Sequence, residues 1–200
     1  MQAKIIAISQ RYNQLYDSLI SIIQTSEVRV LDLQQDDLFA NNVNFFVKAY
    51  LTNICSYLEA FLQDLAFEYA KSINERIKLA KIPHNIVYWK TANEIKSNKL
   101  LFKNTEISVT RQDISDNLSA NPYKTINTYR LLGINVESEQ GFIDNKDLVN
   151  AVVTKRNNII HHNDQAVDVS FSDLVLHIEV FKKYMAAISK ALENTIAGNG

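Results

Sequence analysis

The feature that most restricts the fold is a long helical repeat of apolar residues between about residues 42 and 80. Its apolar positions recur at intervals of three and four: Leu51, Ile54, Cys55, Leu58, Phe61, Leu62, Leu65, Ala66 and Tyr69. This spacing is that of an amphipathic α-helix. Because a helix of this length buries one face over many turns, we expect it to form the backbone of a helical bundle.

Two further stretches have the same periodicity. Residues 3–25 carry Ile5, Ile8, Tyr12, Leu15, Leu19, Ile22 and Ile23, and the last helix carries Leu174, Ile178, Phe181, Met185, Ile188 and Leu192. Ser170 and Asp173 match a capping box and mark the start of this last helix. After the first helix, Val28, Val30, Leu31 and Leu33 are expected to cover the core before a polar interval at residues 34–37. With only four Gly and two Pro in 200 residues, the chain is predicted to be all-α.

Between residues 83 and 133 the pattern loosens. One short helix is expected around Arg111, another over residues 123–132 with Gly133 at its end, and residues 106–110 are the best strand candidate. Because no Gly, Ser or Pro linker separates this segment, we interpret it as an elaboration of one domain. That domain spans residues 1–197, with its core at about 42–80 and 144–196.

Charge and cysteine usage argue against a chain that is basic overall and against one that is stabilised by internal disulfides. The 21 Lys and Arg balance 22 Asp and Glu, giving a net charge of -1, so any site for a polyanion has to be local. The single cysteine, Cys55, cannot form an internal disulfide and fits a reducing compartment. No apolar run approaches the roughly 18 residues of a membrane span, and the N-terminus does not resemble a signal peptide. We therefore expect a soluble, cytoplasmic protein that does not associate with a membrane.

The most unusual polar cluster is the stretch 155–164, KRNNIIHHND, near the end of a helix predicted to begin at Asp144. On that helix Val149, Val152, Val153 and Ile160 form an apolar stripe, and Arg156 falls near its middle. A guanidinium on a buried face is costly unless it pairs with a carboxylate, stacks, or faces a pocket or a second subunit.

The spacing within this stretch limits how its side chains can cooperate. Arg156 and His161 lie about 140° apart on an unbroken helix, whereas Asn157 and His161, four residues apart, share a face. If the helix lies at a two-fold interface, each subunit contributes one Arg and one His to a shared cleft. His84 and His177 are distant in sequence and adjacent His side chains diverge on a helix, so no metal site and no cofactor are predicted.

The run Arg156-Asn157-Asn158-Ile159-Ile160-His161 resembles the Arg-x4-His signature of the HEPN superfamily, helical ribonucleases and nucleotide-binding modules. The segment from Ala49 to Leu62 is similar to the early core helix of RiboL-PSP-type and related prokaryotic HEPN proteins. The order of parts, a motif helix followed by a polar turn and one last helix, is also similar.

This resemblance implies a metal-independent endoribonuclease that acts as a homodimer in a toxin, antiphage or stress-response system, with an antitoxin or defence protein as a partner. It implies that Arg156 stabilises charge on the phosphate of RNA and that His161 transfers protons to or from the reacting oxygens. Asn157 would orient one of these groups. Glu59, Asn158 and His162 are supporting candidates.

Other interpretations remain open. In the first, Arg156 pairs internally with Glu59 or another acid, and His161 only caps the helix or packs. In the second, the chain is a non-catalytic HEPN-like module for nucleotide or RNA binding or for dimerisation. A helical adaptor for a protein partner is a third possibility. Where many members of the superfamily have a small residue, His162 follows His161; it either narrows the cleft or is a surface residue favoured by the helix dipole.

Overall fold

The computed structural model describes residues 1–31, 36–162 and 165–198. The predicted positions Leu33, Gln34, Gln35, Asn163 and Asp164 lie outside the described residues. The helices are α1 (Gln2–Leu31), α2 (Asp37–Ala40), α3 (Val43–Ala80), α4 (His84–Thr91), α5 (Arg111–Asn117), α6 (Pro122–Leu131), α7 (Gln140–His162) and α8 (Phe171–Gly198). Two short 3-10 turns lie at Ser97–Lys99 and Val136–Ser138.

Four long helices, α1, α3, α7 and α8, form the bundle, and each of α3 and α8 contacts the other three. The all-α prediction is confirmed, since the described residues contain no strand. The strand candidate at residues 106–110 was wrong: it ends at Thr110, which caps α5 in a reciprocal pair of hydrogen bonds with Asp113. No helix among the residues that the structure describes is long and apolar enough to cross a membrane.

Helix α3 is the predicted central element, and all nine apolar positions named for it are buried. Two buried tyrosines of neighbouring helices donate hydrogen bonds to its backbone. The hydroxyl of Tyr16 in α1 donates to the Ile54 carbonyl at 2.8 Å, and that of Tyr129 in α6 donates to the Leu62 carbonyl at 3.0 Å. Because both hydroxyls are satisfied, their burial carries no desolvation penalty from an unpaired donor.

Helix α1 is longer than predicted and presents a different face to the core. Leu15 and Ile22 are 37% and 53% exposed, and Val28 and Leu31 are also exposed, so these four core predictions were wrong. The face that packs on the bundle consists of Ile5, Tyr12, Tyr16, Leu19, Ile23 and Ser26. A buried tyrosine and serine, both with hydrogen-bond partners, replace the aliphatic residues that periodicity favoured.

Helix α7 begins at Gln140, four residues before the predicted N-cap Asp144. Asp144 instead lies inside the helix, where its carboxylate accepts a hydrogen bond from the Gln140 side chain at 2.7 Å. The added turn buries Phe142, whose ring stacks on Tyr184 of α8 with centroids 4.8 Å apart. Aromatic packing on α8 thus extends the helix beyond its capping signal.

The predictions for the ends of α6 and α8 are confirmed. Asn121 caps α6 by accepting from two backbone amides, and Gly133 follows the helix with a φ of +79°. At the start of α8, Ser170 and Asp173 form the capping box. The Ser170 amide donates to the Asp173 carboxylate at 2.9 Å, and the Asp173 amide donates to the Ser170 hydroxyl at 3.0 Å. All six apolar positions predicted for α8 are buried.

Candidate active site at the contact of α3 and α7

Arg156 lies on the face of α7 that packs against the bundle. The buried residues of this face are Phe142, Val149, Val152, Val153 and Ile159. Ile159 therefore takes the place predicted for Ile160, which is 50% exposed. The side chain of Arg156 keeps 17% of its surface exposed, so it is partly, not fully, withdrawn from water.

The partner of Arg156 is Glu59 of α3. The Arg156 Nη2 atom donates to Glu59 Oε2 at 3.3 Å, and the glutamate side chain is 34% exposed. This distance exceeds the roughly 2.7–2.9 Å of a strong charge-assisted hydrogen bond. Glu59 thus reaches the neighbouring helix, as its position on the edge of the apolar face of α3 suggested.

The guanidinium has further donors that this ion pair does not use. Its Nε atom is buried and has no hydrogen-bond partner among the described residues. Cys55 lies one helical turn before Glu59. Burial raises the pKa of its thiol to about 11, although nearby Arg156 acts to lower it. Cys55 therefore stays neutral at physiological pH and does not neutralise Arg156. Because its Nε atom has no partner among the described residues, Arg156 retains a donor for an anionic ligand.

The other residues of the motif lie toward the C-terminal end of α7. Asn157 is half-buried, while Asn158, His161 and His162 are exposed. None of the four side chains has a hydrogen bond or ion pair with another described residue. Their side chains are therefore available to a ligand or a second subunit.

The structure does not bring Arg156 and His161 to one point within a single chain. Because α7 is a continuous helix to His162, the two residues stay about 140° apart around its axis and about 7.5 Å apart along it. Asn157 and His161 lie on the same side of the helix. A compact site that contains both an Arg and a His therefore requires a side chain from outside this helix.

A second polar group, not identified from the sequence, lies on another side of α7. Lys155 pairs with Asp168, and these two residues border a cavity of about 300 Å³ together with Asp173 and His177 of α8. Burial lowers the pKa of His177, and its Nδ1 atom has no partner among the described residues. The sequence distance between His177 and the motif concealed this proximity to Lys155.

No group of three or more His, Cys, Asp or Glu that is close enough to hold a metal ion occurs in the part of the chain that the structure describes. The polar residues at the α3–α7 contact are a guanidinium, a carboxylate, amides and imidazoles. These groups can bind a phosphate and transfer protons.

Comparison with known proteins identifies the family of the chain. The family model described as RiboL-PSP-HEPN matches residues 10–194, a range that includes most of the bundle, Glu59 and the whole motif. Neither a curated protein nor a solved structure matches the chain. The chain belongs to the RiboL-PSP-HEPN family.

Proposed function

We propose that the protein is a metal-independent endoribonuclease that cleaves RNA through attack of a ribose 2′-OH on the adjacent phosphate. Membership of the RiboL-PSP-HEPN family supports an RNA-related function. We place this activity in a toxin, antiphage or stress-response system, with an antitoxin or defence protein as a further partner. The observation that carries the catalytic proposal is the incompletely paired Arg156 at the α3–α7 contact. Close to it along α7 lies His161, whose side chain has no partner in the part of the chain that the structure describes.

Arg156 binds and polarises the phosphate in this proposal. Its ion pair with Glu59 orients the guanidinium but leaves donors unused. An RNA phosphate can take two of these donors at once, since guanidinium and phosphate match in geometry. The partial burial of the side chain strengthens its interaction with the charge that develops during the reaction.

His161 carries the proton transfer. The 2′-oxygen forms a bond to phosphorus while the bond from phosphorus to the 5′-oxygen breaks. An imidazole, which can gain or lose a proton near neutral pH, takes the proton from the 2′-OH or gives one to the departing 5′-oxygen. The products are a 2′,3′-cyclic phosphate and a 5′-hydroxyl. Asn157, on the same side of α7, orients the phosphate or the imidazole.

We further propose that the active cleft is shared by two protomers of a homodimer. Arg156 and His161 of one chain point about 140° apart, so a second copy supplies the group that one chain cannot bring to the phosphate. Ile160 is half-exposed beside His161, an apolar surface that a second protomer would cover. Asn158 and His162 are then positioned at the border between the protomers.

This arrangement predicts that two inactive variants restore activity when they are combined. Arg156→Gln retains an amide donor for Glu59, and His161→Ala alters an exposed residue, so both should fold. A mixed dimer keeps one intact Arg and one intact His, and we expect cleavage at least about tenfold above that of either variant alone. Cleavage of a fluorescent RNA is measured after the protomers have exchanged.

Native mass spectrometry of chains with different tags shows whether mixed dimers have formed. If they form and the mixture cleaves no faster than either variant alone, the shared cleft is excluded. A mixture of His161→Ala chains that differ only in their tags is the matched control and should stay inactive.

The ion pair itself favours a second function. Arg156 contacts Glu59 of its own chain, as a purely structural Arg would. In that case the protein is a non-catalytic module that binds nucleotide or RNA or serves in dimerisation. RNA binding then persists while no RNA substrate is cleaved at any pH, and the Arg156→Gln variant loses stability without any loss of an activity.

A further inference from the structure

A second cluster of charge lies on a different side of α3. We call it the cationic groove, a cavity of about 380 Å³ between α1, α3 and the start of α5. Its charged residues are Lys4, Arg11, Asp64, Glu68, Lys71 and Arg111. Four cations therefore surround two carboxylates in a chain whose overall charge is -1. The groove is a local concentration of positive charge.

Each carboxylate is shared by two cations. Glu68 binds Lys4 at 2.7 Å and Lys71 at 3.2 Å. Asp64 binds Arg111 at 2.7 Å and also Arg11. The lining thus keeps an excess of two positive charges. Outside it, Glu75 also acts electrostatically on Lys4.

The two carboxylates remain ionised at neutral pH. The hydrogen bond from Lys4 is the main cause that lowers the pKa of Glu68. Burial works against ionisation of Asp64, but the hydrogen bonds from Arg111, Tyr12 and Arg11 outweigh it and lower its pKa. Each carboxylate therefore offsets part of the positive charge that the groove presents to an anion.

The cations still face solvent. Their side chains are 45% to 64% exposed, whereas Asp64 and Glu68 are only 17% and 19% exposed. A ligand that approaches from solvent therefore meets the cations first. Such an arrangement favours an anion with several oxygens, because Arg and Lys donors can each take one of them.

A smaller cavity adjoins the groove at Arg111, which borders both. It has a volume of about 140 Å³ and is lined by Gln63, Phe67, Gln112 and Ser115 as well as Ile114. The Arg111 guanidinium lies over the Phe67 ring, 4.6 Å from its centroid. The amide nitrogens of Gln63 and Gln112 already donate to the Leu118 carbonyl and to Asp116. Their amide oxygens and the neighbouring aromatic ring are groups that can contact a sugar or base beside a phosphate.

We propose that the cationic groove is a phosphate-binding site that takes the phosphate groups of a nucleotide or of a single-stranded RNA segment. It is separate from the α3–α7 contact, since Asp64 and Glu59 lie about 140° apart on α3. Lys4 and Lys71, which share Glu68, and Arg11 and Arg111, which share Asp64, supply the donors. This site acts in binding, so it does not depend on whether Arg156 and His161 catalyse cleavage.

The test measures binding of two probes, tripolyphosphate and fluorescent oligoadenylate RNA, to the full chain with His161→Ala, which prevents cleavage. Lys4→Gln with Lys71→Gln is expected to weaken binding about tenfold or more at low salt, and to reduce the salt dependence for RNA by about 0.7 per lost phosphate contact. The matched control is Lys124→Gln with Lys183→Gln, which removes two exposed lysines outside the groove. It should change binding less than about twofold.

A second variant separates binding from structural support. Glu68→Gln removes a negative charge from the groove, so phosphate binding should become about threefold tighter or more. If the network only supports the fold, both groove variants lower the unfolding temperature and neither changes binding relative to the control. That result overturns the proposal, as does weaker binding by Glu68→Gln.

The two probes identify the source of the phosphate. In the lysine variant, loss of tripolyphosphate binding alone assigns the groove to a free nucleotide, and loss of RNA binding alone assigns it to the RNA backbone. Loss of both supports a site that takes phosphate groups from either source. Cleavage by the chain with native His161 is measured separately. If the groove variants bind both probes normally and the chain with native His161 cleaves RNA, only this inference is contradicted. If that chain does not cleave RNA but the groove variants change binding as expected, only the proposed catalysis is contradicted.

Discussion

Replacement of His161 by alanine is expected to reduce RNA cleavage by about 10²- to 10⁴-fold, the usual contribution of general acid–base catalysis. The side chain is exposed and has no partner among the described residues, so its loss should change the free energy of unfolding by less than about 0.5 kcal/mol. Initial rates of cleavage of a single-stranded RNA and thermal unfolding followed by circular dichroism measure the two effects.

His84→Ala is the matched control for this prediction. His84 is at the start of α4 and its ring stacks on Tyr88, outside α7 and the motif. Its replacement should leave the cleavage rate within about threefold of the native value. Equal cleavage by His161→Ala and the native chain would show that His161 takes no part in catalysis.

Replacement of Phe61 by alanine is expected to lower the free energy of unfolding by about 3–5 kcal/mol, the range for a large aromatic residue removed from a core. Phe61 is completely buried in α3, and its ring packs edge-to-face on Tyr12 with centroids 5.7 Å apart. The alanine leaves a cavity between α1 and α3. The unfolding temperature should fall by about 6–20 °C for a chain of this length.

Phe45→Ala provides the matched control, because it is the same substitution in the same helix. Phe45 is 66% exposed, and its ring makes an edge contact with Phe46. Its loss should cost no more than about 1 kcal/mol. If the two variants unfold at the same temperature, the burial assigned to α3 is incorrect.

The sequence predicts the fold best where one face of a helix is apolar throughout. In α3 and α8 the named positions are all buried, because each helix contacts three other helices of the bundle and periodicity alone selects its buried face. In α1 the same rule selects Leu15 and Ile22 wrongly. Tyr16 is buried there because its hydroxyl finds the Ile54 carbonyl, a partner that spacing along one helix does not reveal.

The end of a helix depends on tertiary contacts as well as on caps. Ser170 predicted the start of α8 correctly because its capping box forms. Asp144 had only a suitable residue type, and the stacking of Phe142 on Tyr184 extends α7 past it. Similarly, Ile159 instead of Ile160 is buried, a shift of one position near the end of the helix.

The candidate site is partly visible in the sequence. The motif identifies Arg156, Asn157 and His161, and the position of Glu59 at the edge of the α3 face indicates its contact with a neighbouring helix. The assignment of catalytic roles stays a prediction. The cationic groove could not be predicted, since Lys4, Arg11 and Arg111 are separated in sequence from the carboxylates of α3 and meet only through the packing of three helices.

The most direct test of the central claim is incubation of the native chain with single-stranded RNA in excess EDTA, followed by analysis of the fragment ends. We predict cleavage that leaves 2′,3′-cyclic phosphate and 5′-hydroxyl ends, and no cleavage of DNA of the same sequence, which lacks the 2′-OH. Intact RNA across the pH range in which the chain stays folded, or cleavage that leaves 5′-phosphate ends, would contradict the proposed ribonuclease mechanism.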